Sequence, residues 1–127
     1  MTPTRARRFP IRFDATYRVL SSALLLSPGG SFVEVEGELV RVRMAWAFHA
    51  EFPRSAVAAA ALSPARPMSR GVHGLSGRWL VNGSGDGIVA IGLAPPQRGR
   101  VMGFPVRLDD LLVSVEDPAG LIAALGR

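Results

Sequence analysis

From Phe32 to Phe52 the chain alternates between apolar and polar residues, reading FVEVEGELVRVRMAWAFHAEF. Val33 and Val35 are interleaved with Glu34 and Glu36, and Val40, Val42 and Met44 with Arg41 and Arg43. A period of two predicts strands with one buried face. A two-residue turn at Gly37 and Glu38, glycine first as a type II′ turn favours, sets Val35 opposite Val40, Val33 opposite Val42 and Glu34 opposite Arg41. Moving the turn back by one residue would set Val35 against Glu38. The next run alternates at Phe48, Ala50 and Phe52, with His49 and Glu51 turned the other way, and only an odd-length loop keeps the apolar faces together. A loop of Ala45, Trp46 and Ala47 does so, placing Met44 opposite Phe48, Val42 opposite Ala50 and Arg41 opposite Glu51. The expected product is a meander with one wet face, on which Arg41 lies between two carboxylates and His49 is a solvated neighbour of Arg43.

The flanking segments are less regular. Residues 1–8 read as a flexible basic tail and Phe9 to Phe13 as a short strand. Asp14 offers the N-cap of a helix carrying Tyr17, Leu20 and Leu24 on one face and stopped by Pro28, Gly29 and Gly30. After the meander, Arg54 to Leu62 contains AVAAAAL, a helix by propensity and a strand by context; the strand is preferred on the resemblance given below. Ser63 to Gly77 is rich in Pro, Gly and Ser without periodicity and reads as the longest loop. Arg78–Val81 and Ile88–Leu93 read as strands joined by a hairpin turn, NGSGDG at 82–87. Ala94 to Arg107 is punctuated by Pro and Gly, with a short hairpin at Val101–Val106, and Leu111–Val115 is the last strand. Asp117 caps a terminal helix, Pro118 suits its first turn, Leu121, Ile122 and Leu125 make its apolar face, and Gly126 ends it. Residues 9–127 form one domain on this reading.

Composition narrows the class. A chain of 127 residues, 48% hydrophobic and 20% charged, suits one globular domain and not a disordered one. Cysteine is absent, which excludes disulfides and thiolate chemistry. All 15 basic residues are arginine, and the net charge is +5. That excess would suit nucleic acid or a membrane surface. The arginines are scattered, however, apart from Arg5, Arg7 and Arg8, and no nucleic-acid motif accompanies them, so composition argues against a nucleic-acid partner. No apolar segment reaches the ~20 residues that span a bilayer. Arg7, Arg8 and Phe9 fail as an export signal because Asp14 and Arg18 interrupt the segment that follows. A cytoplasmic protein is expected. Peripheral membrane contact stays open, although Arg18 alone on the N-terminal helix favours a lid on the sheet.

Candidate chemistry is sparse. His49 and His73 are the only histidines, and neither has a second ligand at metal-binding spacing. Adjacent Asp109 and Asp110 would point to opposite faces of a strand. NGSGDG lacks the lysine and the following helix of a phosphate-cradling loop, and Ser76 misses the Gly-x-Ser-x-Gly spacing. Trp46 and Trp79 are expected in the core or at its rim. No catalytic set, metal or cofactor emerges. The candidate ligand-binding residues are Arg66, Arg70 and His73 in the long loop, with Arg78 just after it, because guanidinium forks match anions bidentately. A rival reading puts Arg78, His73 and Asp86 around the cleft of a small-molecule enzyme or ligand-binding barrel.

The order of about seven short antiparallel strands and a capped C-terminal helix resembles the pleckstrin-homology-like family in its bacterial form. The carrying stretches are FVEVEGELVRVRMAWAFHAEFPRSAV and LLVSVEDPAGLIAAL. The layout is also similar to small uncharacterised actinobacterial proteins. The resemblance implies a mainly β, partly open barrel closed by the helix, to which the N-terminal strand and helix are additions. It also implies a non-catalytic module that binds a protein or peptide or self-associates as a homo-oligomer. Phosphoinositide-binding relatives carry basic residues between their first two strands, where this chain has Glu36, Gly37 and Glu38. An anion-binding surface for nucleic acid or acidic lipid is the remaining alternative.

Overall fold

The structure, a computed structural model, describes residues 6–13, 30–63, 71–75, 77–82, 84 and 86–126, with backbone alone for 71–75. The expected helix from Asp14 lies outside them, as do Arg66 and Arg70. The described chain is mainly β, a curled open half-barrel sheet with one C-terminal helix. Its strands are β1 (Arg7–Pro10), β2 (Ser31–Glu36), β3 (Leu39–Met44), β4 (Phe48–Pro53), β5 (Val57–Leu62), β6 (Gly71–Leu75), β7 (Arg78–Asn82), β8 (Ile88–Val101) and β9 (Phe104–Ser114), followed by helix α1 (Pro118–Leu125). The sheet order is β1-β2-β3-β4-β8-β9-β7-β6, with β5 added on β8.

The meander has the register that apolar parity demands. Val33 pairs with Val42, Glu34 with Arg41 and Val35 with Val40; on the next ladder Arg41 pairs with Glu51, Val42 with Ala50, Arg43 with His49 and Met44 with Phe48. Gly37 takes the positive φ of 59° that the first turn requires. Val33, Val40, Val42, Met44, Phe48, Ala50 and Phe52 are all buried. Burying one such side chain is worth ~1.5 to 3 kcal/mol, against ~0.2 to 1 for a charged cross-strand pair, so burial sets the register and the charges follow.

The second half of the sheet departs from expectation. β9 lies between β8 and β7, antiparallel to the first and parallel to the second. The all-antiparallel expectation is therefore corrected, and residues 82–87 are not a hairpin turn, because the strands they join are not neighbours. The Asn82 side chain donates to the Ser84 carbonyl at 2.9 Å, and Val115 donates its amide to the Gly87 carbonyl at 3.0 Å. The connection thus crosses the end of β9. β6 also corrects the long loop: Gly71–Leu75 pairs with β7 through backbone hydrogen bonds, although its two glycines spoil any alternation. The described strands number nine rather than about seven, and β1 begins at Arg7.

β8 is one strand of 14 residues through Ala94-Pro95-Pro96, not a strand followed by a broken segment. Its first half pairs with β5, its last three residues pair with β4, and its register with β9 shifts between Gly92 and Gln97. The prolines sit in that irregularity, where the ladder asks for no amide. The curl brings the chain after β1 against the end of β9: Ile11 bridges to Val115, and Arg12 donates its amide to the Ser114 carbonyl at 3.0 Å.

β5 is a strand, as preferred, entered by a 3-10 turn at Arg54–Ala56. The Asp117 carboxylate accepts from the Gly120 amide at 3.0 Å, capping α1, and Gly126 ends it at a φ of 71°. Leu121 and Leu125 are buried, and α1 packs chiefly on β5.

Candidate functional site

Across the outer face of the sheet, the rungs differ in charge balance. On one rung Arg8 pairs with Glu34, Glu34 with Arg41 and Arg41 with Glu51. Arg8 donates to Glu34 Oε2 at 2.9 and 3.1 Å, Arg41 donates to Glu34 Oε1 at 2.7 Å, and Arg41 Nε lies 3.9 Å from Glu51. Hydrogen bonds from Arg8 and then Arg41 hold the Glu34 carboxyl below the ordinary carboxylate range, against burial that would raise it. Arg54 pairs with Glu38 and Arg107 with Asp109 in the same way.

The next rung has no such balance. Arg43 pairs with His49 and His49 with Arg100, so three nitrogen-bearing side chains stand in a row on β3, β4 and β8, about 5 Å between neighbours. All three are exposed. Among the described residues neither Arg43 nor Arg100 is paired with a carboxylate, nor is Arg98 farther along β8. Each guanidinium of the row bends to its own turn: Arg43 Nε donates to the Ala45 carbonyl at 3.3 Å and Arg100 Nη1 to the Gly103 carbonyl at 3.1 Å.

The two turns are fastened side by side by the Met102 amide, which donates to the Ala47 carbonyl at 2.9 Å. They present Trp46, Met102 and Phe104 at 53%, 59% and 72% exposure. Ala45 and Met102, one in each turn, are the non-glycine residues of positive φ among the described ones, at 46° and 49°. Such backbone costs about 1 to 3 kcal/mol and persists only where the surroundings impose it. Between the turns lies an open depression of about 410 Å³, lined by Arg43, Ala45, Trp46, His49, Arg100 and Gly103. α1 is far from it: Leu125 and Gly126 line a depression with Glu38 and Arg54, at the opposite end of β3.

Of the residues singled out from sequence, Arg66 and Arg70 are outside the described residues, and His73, Arg78 and Asp86 lie elsewhere. His73 is in β6, opposite Leu80, and not in a loop. Arg78 begins β7, is exposed, and is in register with Asp110 on β9. Asp86 follows the other end of β7, so Arg78 and Asp86 flank a strand that rises ~13 Å between its ends and do not converge. Trp79 is half-buried against the core, whereas Trp46 stands at a turn tip. Sequence reasoning missed Arg100 altogether. The signal it held was indirect: both carboxylates near Arg43 are committed to Arg41. Comparison with known protein families, curated proteins and solved structures finds no match for this chain.

Proposed function

We propose that this chain is a non-catalytic interaction module of pleckstrin-homology-like fold that docks an anionic partner at the Trp46 end of its half-barrel. The curled sheet and the Asp117-capped helix support the fold reading; the parallel β7-β9 pair is a departure from it. One observation carries the docking surface. Two turns locked by the Met102 to Ala47 hydrogen bond set three exposed apolar side chains beside a row, Arg43, His49 and Arg100, whose arginines have no carboxylate partner among the described residues. Exposed apolar groups rimmed by uncompensated charge are what a partner of opposite sign covers.

Retention on a heparin matrix tests it. Wild type should elute at a defined salt concentration, and Arg43→Gln with Arg100→Gln should elute at clearly lower salt. Arg12→Gln with Arg78→Gln removes the same charge from other exposed positions and should elute close to wild type. Equal elution of both double variants would mean that net charge alone binds, and that this end is not the docking surface.

A further inference from the structure

We infer that the Trp46 depression binds a nucleoside phosphate unit, with its base on the Trp46 ring and its phosphate on Arg43 and Arg100. This rests on the docking surface proposed above and names its ligand. The phosphate follows from the row on β3, β4 and β8. Arg43 and Arg100 flank His49, and among the described residues no carboxylate lines the depression. A guanidinium has five N–H donors. Each arginine commits one to the carbonyl of its own turn, which fixes its position and leaves the others for a multivalent oxyanion.

The base follows from Trp46. Its side chain lines the same depression as the two arginines while remaining about half exposed. A ligand that meets all of them carries a flat apolar ring within a few ångströms of its negative charge, and a nucleotide has that construction. Base–aromatic stacking is worth enough to matter at such a site and does not depend on which base stacks. The volume, about 410 Å³, falls in the ~300 to 1,000 Å³ range of small-ligand clefts. Arg98, exposed and not paired with a carboxylate among the described residues, lies two residues along β8 from Arg100 and offers a place for the next phosphate of a strand. The unit therefore comes either as a free mononucleotide or within single-stranded nucleic acid. An acidic bilayer would also take up tryptophan and the apolar tips at its interface; what favours the nucleotide is that the Trp46 ring and both guanidiniums line one depression.

Fluorescence anisotropy with a labelled short oligothymidylate, and with an abasic strand of the same length, tests the inference. The base-bearing strand should bind at least about tenfold more tightly. Trp46→Ala should abolish that difference, with an unchanged thermal melt showing that the fold is kept. Arg43→Gln with Arg100→Gln should weaken both strands and lower the salt slope by about 0.7, the value for one phosphate on a single strand. Competition by adenosine monophosphate shows that the free unit suffices; strand binding without such competition shows that the unit is read within a strand. Equal affinity for both strands, unchanged in Trp46→Ala, overturns the base contact and leaves the anionic docking surface standing. Binding confined to phosphatidylserine vesicles overturns the nucleotide in favour of lipid. Folded protein that binds none of these probes overturns the inference; the docking surface falls with it only if the heparin comparison above also shows no difference between the two double variants.

Discussion

Arg41 on β3 donates to Glu34 on β2 at 2.7 Å, and with Arg8 on the other side the carboxylate is closed in to 7% exposure. Glu34 is the buried charged residue among the described ones. A face expected to be wet thus contains one desolvated carboxylate, and the cost of burying it is offset by two guanidinium partners.

Stability should therefore depend on acid through Glu34. Its folded value lies below the ordinary 4.5, so its contribution is complete above that value and is lost as pH falls through the lowered one. Glu34→Gln should cost about 1 to 3 kcal/mol near neutral pH, and the gap to wild type should close as the carboxyl protonates. Urea denaturation near pH 7 and again near pH 3 checks this. A gap of the same size at both values would show that the arginines do not single out the charged form.

The meander was legible in the sequence because burial leaves it only one register. A shift of one residue would turn Val33, Val40 and Val42 to water and bring Arg41 inside. The Asp117 cap and the Leu121–Leu125 face were legible for a similar local reason. The placement of β9 was not. Strands on either side of NGSGDG carry no local mark of a third strand between them, and the glycines of β6 hide a segment that pairs with β7 along its backbone. The candidate site was illegible for the same reason. Arg43 and Arg100 are far apart in the chain, and only the β4-β8 ladder makes them neighbours. Alternation along β3 could show that Arg43 faces outward, but not what stands two strands away.

The terminal helix should be part of the cooperative unit. Leu125 is 1% exposed and sits in the main core with Leu121. Leu125→Ala should cost ~2 to 5 kcal/mol, read as a lower denaturation midpoint with an unchanged slope. An unchanged midpoint would make α1 peripheral to the fold.

Gly99 should tolerate no side chain. It is buried where β8 crosses β4, and a Cβ there would lie 3.0 Å from Leu108 Cδ1, 3.3 Å from the His49 carbonyl and 3.4 Å from Ala50 Cβ. The carbonyl belongs to the ladder and cannot yield without moving His49. Gly99→Ala should destabilise by about 1 to 3 kcal/mol. It should also weaken heparin retention, because it displaces the strand pair that aligns His49 with Arg100. Loss of stability with retention intact would show that the row does not depend on this close approach.

The β8-β9 turn holds a second strained position whose relief separates stability from binding. Met102 and Gly103 have φ values of 49° and 85°, the pair of left-handed residues that a two-residue type I′ turn requires. Glycine meets that demand at no steric cost, whereas methionine does not, and Asn-Gly is the pairing such turns favour. Met102 is 59% exposed, so its side chain contributes little burial in return. Met102→Asn should raise stability by ~0.5 to 1 kcal/mol, seen as a rise of ~2 to 4 °C in Tm. An apolar side chain at this exposed, strained tip, in the turn fastened to that of Trp46, fits a contact with the partner, in line with the common trade of stability against function. The same variant should therefore release from its anionic partner more readily while melting later. A lower Tm would show that the turn is not strained at Met102, and a higher Tm with unaltered binding would place Met102 outside the docking surface.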